Sequence, residues 1–161
     1  MRILVITCLI LQVTLTFGQK EYFQQEVNTF IEVKLDDKKN FLQAYERIVY
    51  INNSPDVLNK MMIHVWPNAY KDNFSEMAHQ LDEDGEVDFH FADASDRGFI
   101  DSMDFTFNGQ SILYTYFEGN KDILEFKLRE PIQPGDTLII ETPFRVKIPK
   151  GIYSRLGHIG E

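Results

Sequence analysis

The chain has 161 residues, with 25 acidic against 16 basic side chains, a formal net charge of −9 and a single cysteine. An acidic surplus of that size offers no basic face for nucleic acid or for an anionic membrane surface, so neither is expected as a partner. The length suits one domain, large enough to bury a core without cross-links.

Met1-Arg2 is followed by the apolar run ILVITCLILQVTLTF and then by Gly18-Gln19, with no acidic residue before Glu21. One positive charge, about 15 apolar residues and a small-residue end are the layout of a secretory signal peptide. The run is shorter than the roughly 20 residues a membrane helix needs. Residues 1–19 are therefore read as a signal peptide, with an uncleaved anchor as the alternative, and the mature chain as secreted or periplasmic. Beyond this segment no membrane association is expected. Cys8 lies inside it, so the exported part holds no thiolate nucleophile or thiolate metal ligand.

Residues 20–150 read as a β-domain. Val27 to Leu35 alternates with period two, with Val27, Thr29, Ile31, Val33 and Leu35 on one face, which predicts a half-buried strand. Asp36 to Asn40 is a polar turn, and Leu42 to Ile51 resumes the alternation through Leu42, Ala44, Ile48 and Tyr50, so the two runs predict a hairpin. Asn52 to Asp56 is rich in turn-forming residues. Met61 to Tyr70 holds the only tryptophan and predicts a short buried strand that ends at Pro67, where no N–H is left for a ladder. Trp66 is expected to anchor the core there, with a ligand-stacking platform as the alternative.

Asn73, with Glu76 three positions on, predicts a capped helix carrying Phe74, Met77, Ala78 and Leu81 on one face. Leu81 to Gly98 reads as an acidic loop. Phe99 to Phe107 alternates through Phe99, Met103, Phe105 and Phe107, and Asn108-Gly109 predicts a tight hairpin into a returning strand from Ile112 to Glu118. Residues 118–121 form a turn, Ile123 to Leu128 a strand, and Pro134-Gly135-Asp136 another turn. In the last strand Leu138, Ile140, Thr142, Phe144, Val146 and Ile148 share one face. Pro143 within it predicts an edge strand or a break between sheets. Some seven short strands and one brief helix predict an all-β sandwich. The glycine-rich stretch 151–161 reads as the start of a linker or of further β structure.

Catalytic patterns are wanting. His64, His79, His90 and His158 match no common zinc spacing, and no His-Glu-x-x-His occurs. If Gly85 were the sixth position of a helix–loop–helix calcium site, Gln80 and Phe91 would occupy positions that need carboxylates, so that site is rejected. No nucleophile elbow, phosphate loop or dinucleotide fingerprint is present. Asn52-Asn53-Ser54 and Asn73-Phe74-Ser75 fit the glycosylation acceptor pattern. No catalytic, cofactor-binding or metal-binding residue is assigned.

Several stretches in order carry a family likeness: YFQQEVNTFIEVKLDDKKN, YINNSPDVLNKMMIHVWPNAYKDN, RGFIDSMDF, PIQPGDTLIIETPFRVKIP and SRLGHIGE. Together, over roughly residues 21–161, they resemble the N-terminal β-domain of Bacteroidetes-type members of the aminopeptidase N family of zinc metallopeptidases. The resemblance implies a saddle-like β-sandwich with one short helix, packed against a thermolysin-like catalytic domain and walling its substrate cleft. In that family the catalytic domain carries His-Glu-x-x-His with a downstream Glu for zinc, and a Gly-x-Met-Glu-Asn-type segment that holds the substrate amine. None of these motifs stands in this chain, so zinc and a peptide substrate are expected only through a catalytic domain of the same polypeptide, and the chain is read as truncated before it. The alternative is a stand-alone secreted binding module that presents Tyr114, Tyr116 and Phe117 to a glycan or a protein.

Overall fold

The computed structural model describes residues 22–153 and 157–159. The segment 1–19 read as a signal peptide, with Cys8, lies outside the described residues, as does most of the 151–161 tail beyond Tyr153. The fold is all-β with one short helix, as the alternation predicts.

Among the described residues nine strands form two antiparallel sheets: β1 (Glu26–Asp36), β2 (Phe41–Ile51), β3 (Leu58–His64), β4 (Phe99–Asp101), β5 (Thr106–Phe107), β6 (Gln110–Ser111), β7 (Thr115–Tyr116), β8 (Ile123–Ile132) and β9 (Thr137–Lys147). The large sheet runs β1-β2-β9-β5-β6, with β4 also on β9, and the small one β3-β8-β7. The predicted hairpin is there: β1 pairs β2 from Glu26↔Ile51 to Asp36↔Phe41. The Asn108-Gly109 hairpin is there too, both residues at positive φ (49° and 75°), the backbone such a two-residue turn demands.

The core lies where the small sheet covers β9 and β5. Leu124 and Phe126 of β8 are wholly buried against Phe105, Phe107, Leu138 and Ile140. The Phe126 ring meets Phe105 at 4.8 Å and Phe107 at 5.0 Å between centroids. Burial of side chains this size stabilises by about 1.5–3 kcal/mol each, so this cluster dominates the fold energetically.

Three strand expectations change. First, β9 is central, not an edge, because β2 lies along one side and β4 and β5 along the other. Pro143 is tolerated because β4 pairs only Arg145 to Lys147 and β5 only Ile140 to Glu141, so the ladder is interrupted at the proline. The Thr142 hydroxyl fills the gap by accepting from the Asp104 N–H at 3.1 Å. Second, the run from Phe99 to Phe107 carries one residue more than β9 needs, and Ser102 takes φ 58°. This bulge shifts the phase. Ile100, opposite Val146, faces the core with Phe105 and Phe107, while Phe99 turns to the other face and meets Phe41 edge-on at 6.2 Å. Third, of the strand expected from Ile112 to Glu118 only Thr115–Tyr116 (β7) joins a ladder, in the small sheet; β6 ends before it in the large sheet, and Phe117–Gly119 is a 3-10 turn.

The helix α1 (Glu76–Glu83) is capped by Ser75, not Asn73. The Ser75 hydroxyl accepts from the Ala78 N–H and donates to the Ala69 carbonyl at 2.6 Å, which ties the cap to the preceding turn. The Asn73 amide instead donates to the His90 carbonyl and accepts from Arg97. Arg97 lies over the Phe89 ring at 4.6 Å and donates to the Ala92 and Phe89 carbonyls, so it folds the acidic loop inward.

Two buried asparagines join separate elements. Asn52 donates to the Asp56 and Ile132 carbonyls, and its backbone exchanges hydrogen bonds with Gly135 and Asp136. Asn68, fully buried in the short 3-10 turn Trp66–Tyr70, donates to the Lys121 carbonyl at 2.9 Å and accepts from the Ile100 N–H at 3.1 Å. It thus bridges the approach to β8 and strand β4, one on each sheet. Asn68→Ala orphans both partners, and each unsatisfied buried group costs about 1–3 kcal/mol. A loss near 3 kcal/mol is expected in urea unfolding, and a loss below about 1 kcal/mol would remove Asn68 as a bridge between the sheets.

Candidate functional site

The apolar face of the large sheet is wider than the small sheet that covers it. Register sets Val27, Thr29, Ile31, Val33 and Leu35 on the same face as Tyr50, Ile48, Glu46, Ala44 and Leu42, and these on the same face as Leu138 to Val146. Burial fades across that face: Ile140 of β9 is 3% exposed, Ile48 of β2 half-buried, and Ile31 and Val33 of β1 are 49% and 57% exposed. The predicted half-buried strand β1 is exposed on both faces, because no second layer reaches it among the described residues. Its outer edge is unpaired among the described residues. Exposed apolar rows beside a free edge are the signature of a surface that meets other chain.

Where the overhang meets the rim of the small sheet, a groove of about 380 Å³ opens. Ile31, Ile48 and Phe144 line one side, and Ile63, Trp66 and Met103 the other. Glu46 is the one carboxylate in its lining and His64 the other ionisable side chain. Register puts Glu46 between Ile31 and Thr142, amid apolar neighbours. Its carboxylate makes no hydrogen bond or ion pair among the described residues, and burial raises its pKa above the ordinary carboxylate range. The sequence signal for it was plain: Glu46 occupies the one acidic step in the run Leu42, Ala44, Ile48, Tyr50.

Trp66 corrects the expectation of a core anchor. The strand expected to run to Pro67 stops at His64; Val65 is the buried residue, and Trp66, which opens the 3-10 turn, is 62% exposed. Its ring packs on His64 at 4.7 Å, and His64 Nε2 meets Asp122 at 2.9 Å, so the pair is held at the lip of the groove. The other histidines do not converge on it: His90 pairs with Asp82 at 3.2 Å, and His158 bridges to Lys150 through backbone. Among the described residues no group of three or more His, Cys, Asp or Glu side chains could hold a metal ion.

Tyr114, Tyr116 and Phe117 do not form an exposed cluster. Tyr114 packs on Phe105 and Phe126 at 5.9 and 5.7 Å, Phe117 is half-buried with the Lys60 ammonium 5.8 Å from its ring, and Tyr116 alone is exposed. Of the two glycosylation patterns, Asn52 is fully buried with its amide engaged, and Asn73 is held by His90 and Arg97.

Trp66→Ala is expected to cost less than about 1 kcal/mol in denaturation followed by circular dichroism, where a core aromatic would cost about 3–5 kcal/mol. Glu46 has a folded pKa above its unfolded one, so its contribution favours folding at low pH and is lost as pH rises through the folded value. Glu46→Gln should therefore raise the melting temperature at neutral pH, and the gain should vanish on acidification to the ordinary glutamate range; an equal gain at both would contradict a desolvated carboxylate. No protein-family profile, curated protein or solved structure matches this chain.

Proposed function

We propose that the chain is the non-catalytic N-terminal β-domain of an exported zinc aminopeptidase-like metallopeptidase. It packs against a catalytic domain of the same polypeptide and walls that domain's substrate cleft. The observation that carries the reading is the apolar face of β1, uncovered among the described residues, with Val27, Ile31, Val33 and Leu35 open to solvent at the edge of a sheet whose central strand β9 is buried on the same face. A strand apolar on one face and free at its edge is unfavourable in water unless other chain covers it. The likeness of the segments around INNSPD, HVWPNAYK and PFRVKIP to the aminopeptidase N family gives the cover a chemical identity. Zinc and the peptide substrate belong, on this reading, to the catalytic domain, and the residues described here supply wall and support.

The DNA that follows codon 161 tests the proposal directly. An open frame encoding His-Glu-x-x-His within about two domain lengths is expected. An authentic stop followed by unrelated sequence would overturn it.

A further inference from the structure

Glu46 asks for a partner that the described residues do not provide. A lone carboxylate in an apolar groove is unfavourable unless it is paired or hydrogen-bonded, because desolvation penalises the charge. The groove opens beside Ile31, the residue of β1 directly opposite Glu46, and the far edge of β1 has no strand on it among the described residues. A free edge, an uncovered apolar row and an unmatched anion thus occupy one corner of the sheet.

We propose that this corner receives an extended segment that pairs with β1 as an added strand, alternating apolar residues on its inner face and presenting a lysine or arginine to Glu46. The backbone of the segment satisfies the open edge, and its apolar side chains cover Val27, Val33 and Leu35. Strands lie about 4.8 Å apart, so the added strand stands about 10 Å from β2. A long cationic stem lying along the apolar surface over Ile31 bridges that distance and delivers its charge to the carboxylate. Trp66 then closes over the stem from the opposite lip, where an aromatic face favours a cation.

A second copy of the chain fits less well. Antiparallel pairing of β1 with its own copy would bring Val27, Thr29, Ile31, Val33 and Leu35 to the inner face, and none of these is a cation. Glu46 would remain unmatched. The source of the segment rests on the domain reading above, which makes it part of the same polypeptide. The recognition itself does not, so a peptide experiment and the genomic one fail separately.

The probe is a soluble peptide of about nine residues, a strand's length, that alternates threonine and valine around a central lysine. Trp66 is the only tryptophan, so its emission reports occupancy of the groove. The lysine peptide should bind about tenfold more tightly than the same peptide with norleucine, and should slow amide exchange along β1. Glu46→Gln should bring the two peptides to equal affinity, and Glu46→Lys should reverse the preference toward a peptide with glutamate at the centre. Equal binding of the lysine and norleucine peptides to the unaltered chain would overturn the proposal, as would a lysine advantage that survives Glu46→Gln. A chain that dimerises through β1 and excludes every peptide would do the same, by making a second copy the occupant.

Discussion

The two-sided pairing of β9 is the constraint on which the molecule depends. One flank is zipped to β2 over the whole strand, from Phe41↔Lys147 to Ile51↔Thr137. The other holds β4 and β5 in two separate pieces. A strand bound on both sides must be apolar toward the core along its length, and Leu138, Ile140 and Val146 are buried accordingly. Placing β9 there also decides where the small sheet lies, because Leu124 and Phe126 of β8 must meet Phe105, Phe107 and Ile140. A three-stranded layer centred on that contact is too narrow to cover β1. The exposed corner with its groove follows from this difference in width.

Much of the architecture was legible in the residues. Period-two runs located β1, β2, β9 and most of β8, and Asn108-Gly109 named its own turn because few other pairs tolerate two successive positive φ values. What the pattern could not give was coverage. Alternation in Val27 to Leu35 says that one face is apolar; it does not say that a second layer lies over it, since coverage depends on strands far away in sequence. The same gap explains Trp66. Its parity relative to Val65 was readable, but the side that faced the core was set by β8, more than fifty residues later. Pro143 misled for a related reason, because a proline excludes a ladder only where a neighbour needs its N–H, and here the neighbouring strand is interrupted.

The groove residues were hidden differently. Glu46 was visible as a break in an apolar set, yet a single charge on an inner face is often no more than a strand end meeting solvent. It acquires meaning only from its register opposite Ile31, from the absence of a partner among the described residues and from the overhang above it. Two other half-buried carboxylates are matched: Asp101 takes a two-pronged guanidinium from Arg145 at 2.9 and 2.7 Å, and that hydrogen bonding holds its carboxyl below the ordinary range. Asp72 is held low as well; burial works against ionisation there, but the Lys121 ammonium at 2.6 Å and the Phe74 N–H at 2.9 Å together outweigh it. Against that background an unmatched carboxylate stands out.

The bulge at Ser102 has a consequence for how this sequence can change. Because the extra residue inverts parity between Ile100 and Phe105, the two halves of that strand keep independent phases. Removing one residue there would match the strand one-to-one with β9 and still leave Phe105 opposite Thr142 and Phe107 opposite Ile140, on the core face. A one-residue difference in length is thus absorbed at this point without disturbing the interior, because the paired residues on either side keep their faces.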